Sequence, residues 1–202
     1  MSEEEREKVI GRLVLALKKL KEFESFSEFM PEVRINLAYA INNPKKIDDV
    51  AAIPGRITEI NNKAFIPTLP EFGASDHMAR NLIEFAKYDK KIRSGINIKY
   101  TEDIVEWLVE YCEKNDLLLS IVDRSKEPEK VKRIDGASIP WKIIEAVRQT
   151  SNMIPNIIIE GPALGKEPLI ILTGTDPIEV INLFKELYEN WIKIKKEQNK
   201  EI

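Results

Sequence analysis

Short apolar runs at Leu117–Val122, Ile157–Glu160 and Leu169–Leu172 constrain this chain more than any other feature. A strand that is apolar throughout has no face to give to water, so it must be covered on both sides. The segments around these runs carry helical periodicity instead. Val9, Ile10, Leu13, Leu17 and Leu20 line one stripe of a long first helix, which Ser2 and Glu5 open as a capping box. Thr101 caps a second helix that runs to about Lys114, and Trp141–Val147 reads as a third. Asp176-Pro177-Ile178-Glu179 starts the last helix with an N-cap, a proline at the first helical position and a glutamate at the third. Strands interleaved with helices predict an α/β fold that is layered rather than bundled.

At 202 residues the chain fits one large domain, or one domain with an appended element. The segment before Pro31 is read as an N-terminal helical extension, and 31–202 as the main domain. A net charge of −3 offers no global basic field, which argues against a nucleic-acid partner. Cys112 is the single cysteine and falls on the apolar face of the helix after Thr101, so a core position in a reducing compartment is expected. The acidic start at Met1-Ser2-Glu3-Glu4-Glu5 is unlike a secretory leader, and no stretch is long and apolar enough to span a bilayer. The expectation is a soluble cytoplasmic protein with a thermophile-like bias toward Ile, Lys and Glu. The stripe Leu183, Phe184, Leu187, Trp191 and Ile194 serves either the core or a homodimer interface.

Residues able to do chemistry cluster at turns. Val33–Ile41 alternates with period two, placing Arg34, Asn36, Ala38 and Ala40 on one face. Polar groups beside small residues suit a cleft, although an edge strand with one exposed face fits as well. Val50–Ile60 reads as a strand broken by Pro54-Gly55 just before Arg56. His77, the only histidine, follows the turn Gly73-Ala74-Ser75, at the head of a helix carrying Met78, Leu82, Ile83, Phe85 and Ala86. Anions are welcome there, because free backbone N–H groups and the positive end of the helix dipole face outward. By itself His77 also fits a packing or capping role.

Phosphate-loop and metal-enzyme readings both fail on residue type. Gly161–Pro168 resembles a Walker A loop, but its glycines are one residue too close and Glu167 stands where a magnesium-binding Ser or Thr belongs. Gly165 and Lys166 can still present N–H groups and an ammonium to a phosphate. One histidine and one cysteine cannot build a zinc centre. Magnesium held mainly through substrate phosphates remains compatible with the chain. Asp123 and Glu127 read as members of a solvated loop. The remaining set, Arg34, Asn36, Arg56, His77, Asn97, Arg124 and Lys166, is cationic in an otherwise acidic protein, which points to small phosphorylated ligands.

Several segments, in this order, resemble the ThiN family of thiamine-phosphate synthases. They are Pro31–Ala40, Val50–Ile57, Pro70–Arg80, Ser94–Tyr100, Asp123–Pro128, Pro155–Gly161 and Gly165–Pro168. The resemblance implies a three-layer α/β/α fold with a mixed sheet, similar to class II aldolases (AraD/HMP-PK-like) but without their metal-binding histidines. Members of the family often form the C-terminal part of a pyrimidine-kinase fusion or carry a DNA-binding domain, and neither partner is read here. The implied reaction joins 4-amino-2-methyl-5-hydroxymethylpyrimidine diphosphate to a thiazole phosphate, giving thiamine phosphate and pyrophosphate. It implies Arg56 and His77 as the catalytic pair, His77 titrating near neutrality. Gly73, Ala74 and Ser75 are implied as a phosphate-accepting turn, and Arg34, Asn36, Asn97, Arg124, Gly165 and Lys166 as substrate-binding residues. Asn156 and Pro162-Ala163 depart from the acidic and Gly-Asp residues usual in the family. A non-catalytic module that senses thiamine phosphates is the competing reading.

Overall fold

Alternation along the strands decides which layer each side chain joins. The computed structural model describes residues 2–134 and 136–198; Met1 and 199–202, the two ends of the expected domain scheme, lie outside the described residues. Among the described residues nine strands form: β1 (Leu37–Ala40), β2 (Val50–Ala52), β3 (Thr58–Ile60), β4 (Lys63–Phe65), β5 (Glu71–Phe72), β6 (Ser94–Lys99), β7 (Leu119–Val122), β8 (Ile157–Glu160) and β9 (Leu169–Gly174). The helices are α1 (Glu3–Leu20), α2 (Asp76–Phe85), α3 (Glu102–Lys114), a short α4 (Glu129–Lys132), α5 (Ser138–Arg148) and α6 (Pro177–Gln198).

Seven strands make one mixed sheet in the order β5-β2-β1-β6-β9-β8-β7, with β3 and β4 forming a separate hairpin. Every seam of the large sheet is antiparallel except β7–β8, where Ser120 lies opposite Ile158 in a parallel pair. One face, carrying Leu37, Ile96, Ile98, Ile157, Ile159, Ile170 and Leu172, packs under α1, α3 and α6. The other face, with Ala38, Ala40, Ile158 and Ile171, packs under α2 and α5. The result is the three-layer α/β/α arrangement.

On the first face an aromatic cluster joins the chain's two ends. The Phe184 ring of α6 lies 5.1 Å from Phe23 and 5.4 Å from Phe29, centroid to centroid. The apolar stripe of α1 (Val9, Leu13, Leu17 and Leu20) is buried in this same core, as are Phe184, Leu187 and Trp191. Cys112 is buried there too, and burial pushes its thiol up to about 11. Among the described residues, no helix is long and apolar enough to cross a membrane.

The second face is built of small residues, which lets α2 lie close to the sheet. At Gly95 a Cβ would stand 3.1 Å from the Met78 side chain and 3.2 Å from the Leu172 carbonyl oxygen. Glycine is therefore required by the approach of α2 rather than by a turn.

One sequence-based expectation needs adjusting and a second holds. The Val33–Ile41 alternation does not make one strand: Arg34 adopts a left-handed φ of 66°, and regular pairing begins only at Leu37. Val50–Ile60 does break at Pro54-Gly55, yielding β2 and β3, with Arg56 also left-handed at φ 64°. An isolated antiparallel bridge between Ile35 and Ile57 ties the two arginine-bearing turns together.

Candidate active site

Charged side chains gather where β7 and β8, the parallel pair, end. Ligands in α/β sheets commonly sit beyond the carboxyl ends of such strands. A cleft of 480 Å³ opens there, lined by His77 from α2, Arg124 after β7, Lys142 from α5, Glu160 at the end of β8, and Gly165, Lys166 and Glu167 from the following loop. Val33, Ile134, Ile139 and Leu169 add apolar wall.

His77 is placed by local sequence. Ser75 is extended (φ −143°, ψ 107°) and its hydroxyl accepts a hydrogen bond from the Met78 N–H at 3.4 Å, so α2 begins at Asp76. Asp76 accepts from Arg80 one turn on, at 2.8 Å. Met78, Leu82 and Phe85 then bury against the sheet, which leaves His77 on the cleft side. Its Nε2 is buried without a hydrogen-bond partner among the described residues. Burial, with the positive charges of Lys142, Arg124 and Arg56, lowers its pKa from 6.5 to about 4, only partly offset by Glu160. The near-neutral titration expected from sequence is thus absent in the unliganded protein, and His77 is a neutral imidazole at pH 7.

Beneath it lie ionic groups that sequence reasoning missed. Lys142 and Glu160 are 2% and 1% exposed and meet at 2.5 Å. Arg124 is 5% exposed and stands 3.8 Å from Glu160. Burial draws the Lys142 ammonium below the usual lysine range against the pull of Glu160. For Glu160, burial favours the neutral acid, but Lys142, His77 and Arg124 together hold the carboxyl below its ordinary value. A signal for both residues was present. Lys142 falls three residues after Ile139 and four before Ala146, on the inner stripe of α5, and Glu160 follows Ile158 by two along β8.

Glu127, expected in a solvated loop, is 4% exposed. It accepts a hydrogen bond from Ser138 and lies 3.8 Å from Lys166, whose ammonium also donates to the Ser138 hydroxyl at 3.0 Å. A buried carboxylate needs such partners, and the helix start and loop supply them. Asp123 is exposed and caps the turn at Arg124–Lys126.

Of the expected site residues, His77, Arg124, Gly165 and Lys166 line this cleft. Arg56 is exposed and is not a wall residue, but its guanidinium donates to the carbonyl of Val33, which is one, and its charge contributes to lowering the His77 pKa. Arg34 is exposed beside it, donating weakly to the Gly55 carbonyl at 3.5 Å. Gly73 (φ 80°), Ala74 and Ser75 lead into α2 but are not wall residues.

Asn36 and Asn97 are 3% and 5% exposed, and their amides are occupied by backbone. Asn36 exchanges bonds with Ile53, accepting from its N–H at 2.9 Å and donating to its carbonyl at 3.2 Å. Asn97 accepts from the Asn36 N–H and donates to the Arg34 carbonyl, both at 2.9 Å. Together they brace the two left-handed arginine turns. From the other side Glu167 accepts the N–H groups of Glu32 and Val33 at 2.7 and 2.8 Å. Strained backbone held this firmly is common where a side chain must be presented in one position. Asn156 accepts from the Leu118 N–H at 3.0 Å, at the opposite end of β8 from Glu160.

Among the described residues no group of three His, Cys, Asp or Glu side chains could hold a metal ion. The buried carboxylates are already neutralised by lysine and arginine, so this cleft is suited to anions.

Residues 12–186 match the model of the family described as "Thiamine-phosphate synthase ThiN". The chain is 41% identical over 180 residues to the thiamine-phosphate synthase ThiN of Methanothermobacter thermautotrophicus, covering 89% of this chain and 92% of that protein. It is 36% identical to the bifunctional thiamine biosynthesis protein ThiDN of Methanocaldococcus jannaschii, spanning 87% of this chain but 39% of that longer protein. The crystal structure of the C-terminal domain of a phosphomethylpyrimidine kinase superposes with a TM-score of 0.85 at 34% identity, covering 91% of this chain and all of that one.

Proposed function

This chain belongs to the ThiN family of thiamine-phosphate synthases and is a transferase of that kind, and we infer that it condenses 4-amino-2-methyl-5-hydroxymethylpyrimidine diphosphate with a thiazole phosphate in the cleft beside His77. The observation that carries this reading is an acidic protein that gathers buried positive charge around one neutral histidine whose buried Nε2 has no hydrogen-bond partner among the described residues.

The bond from the pyrimidine methylene carbon to oxygen breaks, and its electron pair leaves with the diphosphate. The thiazole ring nitrogen then supplies the pair for the new carbon–nitrogen bond. The protein must therefore stabilise growing negative charge on the departing oxygen and hold the nitrogen in line. Neutral His77 offers an N–H hydrogen bond to that oxygen, and Arg56 at the rim offers a fixed positive charge. Arrival of the anionic diphosphate favours protonation of His77, so binding itself moves the group toward acid catalysis. Val33, Ile134, Ile139 and Leu169 supply apolar surface for the rings and exclude water from a reactive cationic carbon. Arg34, Gly165 and Lys166 are assigned to phosphates at the mouth, and Asn36 and Asn97 to supporting the arginine turns. Gly73, Ala74 and Ser75 serve as the turn that sets His77.

Magnesium enters with the diphosphate, where it would neutralise part of the leaving group's charge. A cytoplasmic setting agrees with the lone buried thiol of Cys112.

The test is incubation of the purified protein with both substrates and magnesium. Formation of thiamine phosphate and pyrophosphate in equal amounts is expected. Tight binding of thiamine phosphate without turnover would establish the sensor in its place.

A further inference from the structure

We propose that Arg124 and Lys142 form a phosphate subsite at the floor of the cleft, and that it takes the terminal phosphate of a diphosphate rather than the monophosphate of the second substrate. The choice of diphosphate rests on the synthase reading; the existence of an anion subsite does not.

Charge balance comes first. Arg124, Lys142 and Glu160 are 5%, 2% and 1% exposed, and one carboxylate faces two cations. Glu127 does not make up the difference, because Lys166 and Ser138 already engage it. His77 is neutral at pH 7 and adds no charge to the count there. An excess positive charge is costly to bury, and the cost falls away when an anion completes the group. Glu160, at 2.5 Å, opposes the loss of the Lys142 proton that burial favours.

Unused hydrogen-bonding capacity points the same way. The Arg124 Nε is buried with no partner among the described residues. Lys142 has three N–H donors, and Glu160 is its one hydrogen-bond partner among the described residues. Both residues line the cleft, which places this unused capacity in its wall. A guanidinium and an ammonium side by side, here flanking one carboxylate, are the donors by which proteins hold phosphate oxygens.

Position selects the diphosphate. His77, Arg124 and Lys142 line the same cleft. The group that leaves must depart past His77 and Arg56, and its distal phosphate then extends to the floor. The monophosphate of the partner substrate takes no part in bond breaking and is served by the exposed cations at the mouth.

The experiment is calorimetric titration of inorganic pyrophosphate and inorganic phosphate into the wild type, Lys142→Met, Arg124→Gln and Lys142→Arg, with synthase kinetics on each. Both neutralising variants leave a balanced ion pair at the floor, so they are expected to fold, which thermal unfolding checks. Pyrophosphate binding is expected to weaken by about tenfold or more in Lys142→Met and Arg124→Gln, and to be largely retained in Lys142→Arg. KM for the pyrimidine diphosphate should rise while KM for the thiazole phosphate stays level. Unchanged pyrophosphate affinity in folded variants would overturn the subsite, as would a rise confined to the KM of the thiazole phosphate. A wild type that binds pyrophosphate through these residues yet makes no thiamine phosphate would support the subsite and defeat the synthase reading instead.

Discussion

Replacing His77 by Gln removes a group that the fold holds neutral, and this leaves a signature in the pH dependence of stability. In the unfolded chain the imidazole takes up a proton near pH 6.5, whereas in the cleft it does so at about 4. The folded state therefore binds fewer protons than the unfolded state between these values. Stability from this group is complete above pH 6.5 and is lost as the pH falls toward 4. At 1.36 kcal/mol per unit the shift corresponds to about 3 kcal/mol, an upper bound because His77 is only partly enclosed. Urea unfolding of the wild type and His77→Gln at pH 7.5 and pH 4 measures it, and comparison with the variant cancels the carboxylates common to both. The wild type should lose about 2–3 kcal/mol more than the variant across that interval. Equal losses, or an imidazole NMR titration centred near 6.5, would refute the claim that burial and the Lys142–Arg124 field keep His77 neutral.

Two further substitutions separate scaffold from chemistry. Asn36→Ala strips the buried Ile53 N–H of its side-chain partner, while the Ile53 carbonyl keeps the Arg56 N–H, so it should cost about 2 kcal/mol of stability in chemical denaturation. Glu167→Gln weakens the clamp on the Glu32 and Val33 N–H groups, at about 1 kcal/mol, and hydrogen exchange at those two amides should quicken while the rest of the sheet is unaffected.

Much of the architecture is legible because periodicity and capping are local. Ser75 and Thr101 accept from the third residue of their helices, as their positions imply, and β8 and β9 are buried along their whole length, whereas β7 is an edge strand that leaves Ile121 exposed. The stretch before β1 is less legible. Alternation from Val33 to Ile41 is a true pattern, but the left-handed turn at Arg34 is imposed from outside by the Asn97 amide and the Glu167 carboxylate. No local signal encodes a contact between residues 34 and 97.

The site divides along the same line. His77 and Arg56 stand out in sequence because a histidine at a helix start and an arginine after Pro-Gly are unusual locally. Lys142 and Glu160 do not, since each looks like one more surface charge until the sheet and α5 are superimposed. Asn36 and Asn97 show the opposite failure. Their polar character in a strand suggested ligand contact, but the backbone claims every one of their hydrogen bonds.

The central claim is that the cleft around His77 is where the condensation occurs, and steady-state turnover of Arg56→Ala and His77→Gln tests it most directly. With folding verified by circular dichroism, kcat for thiamine phosphate formation should fall about hundredfold or more in each variant. Turnover within about twofold of the wild type in both folded variants would contradict the claim and move the active site elsewhere on the protein.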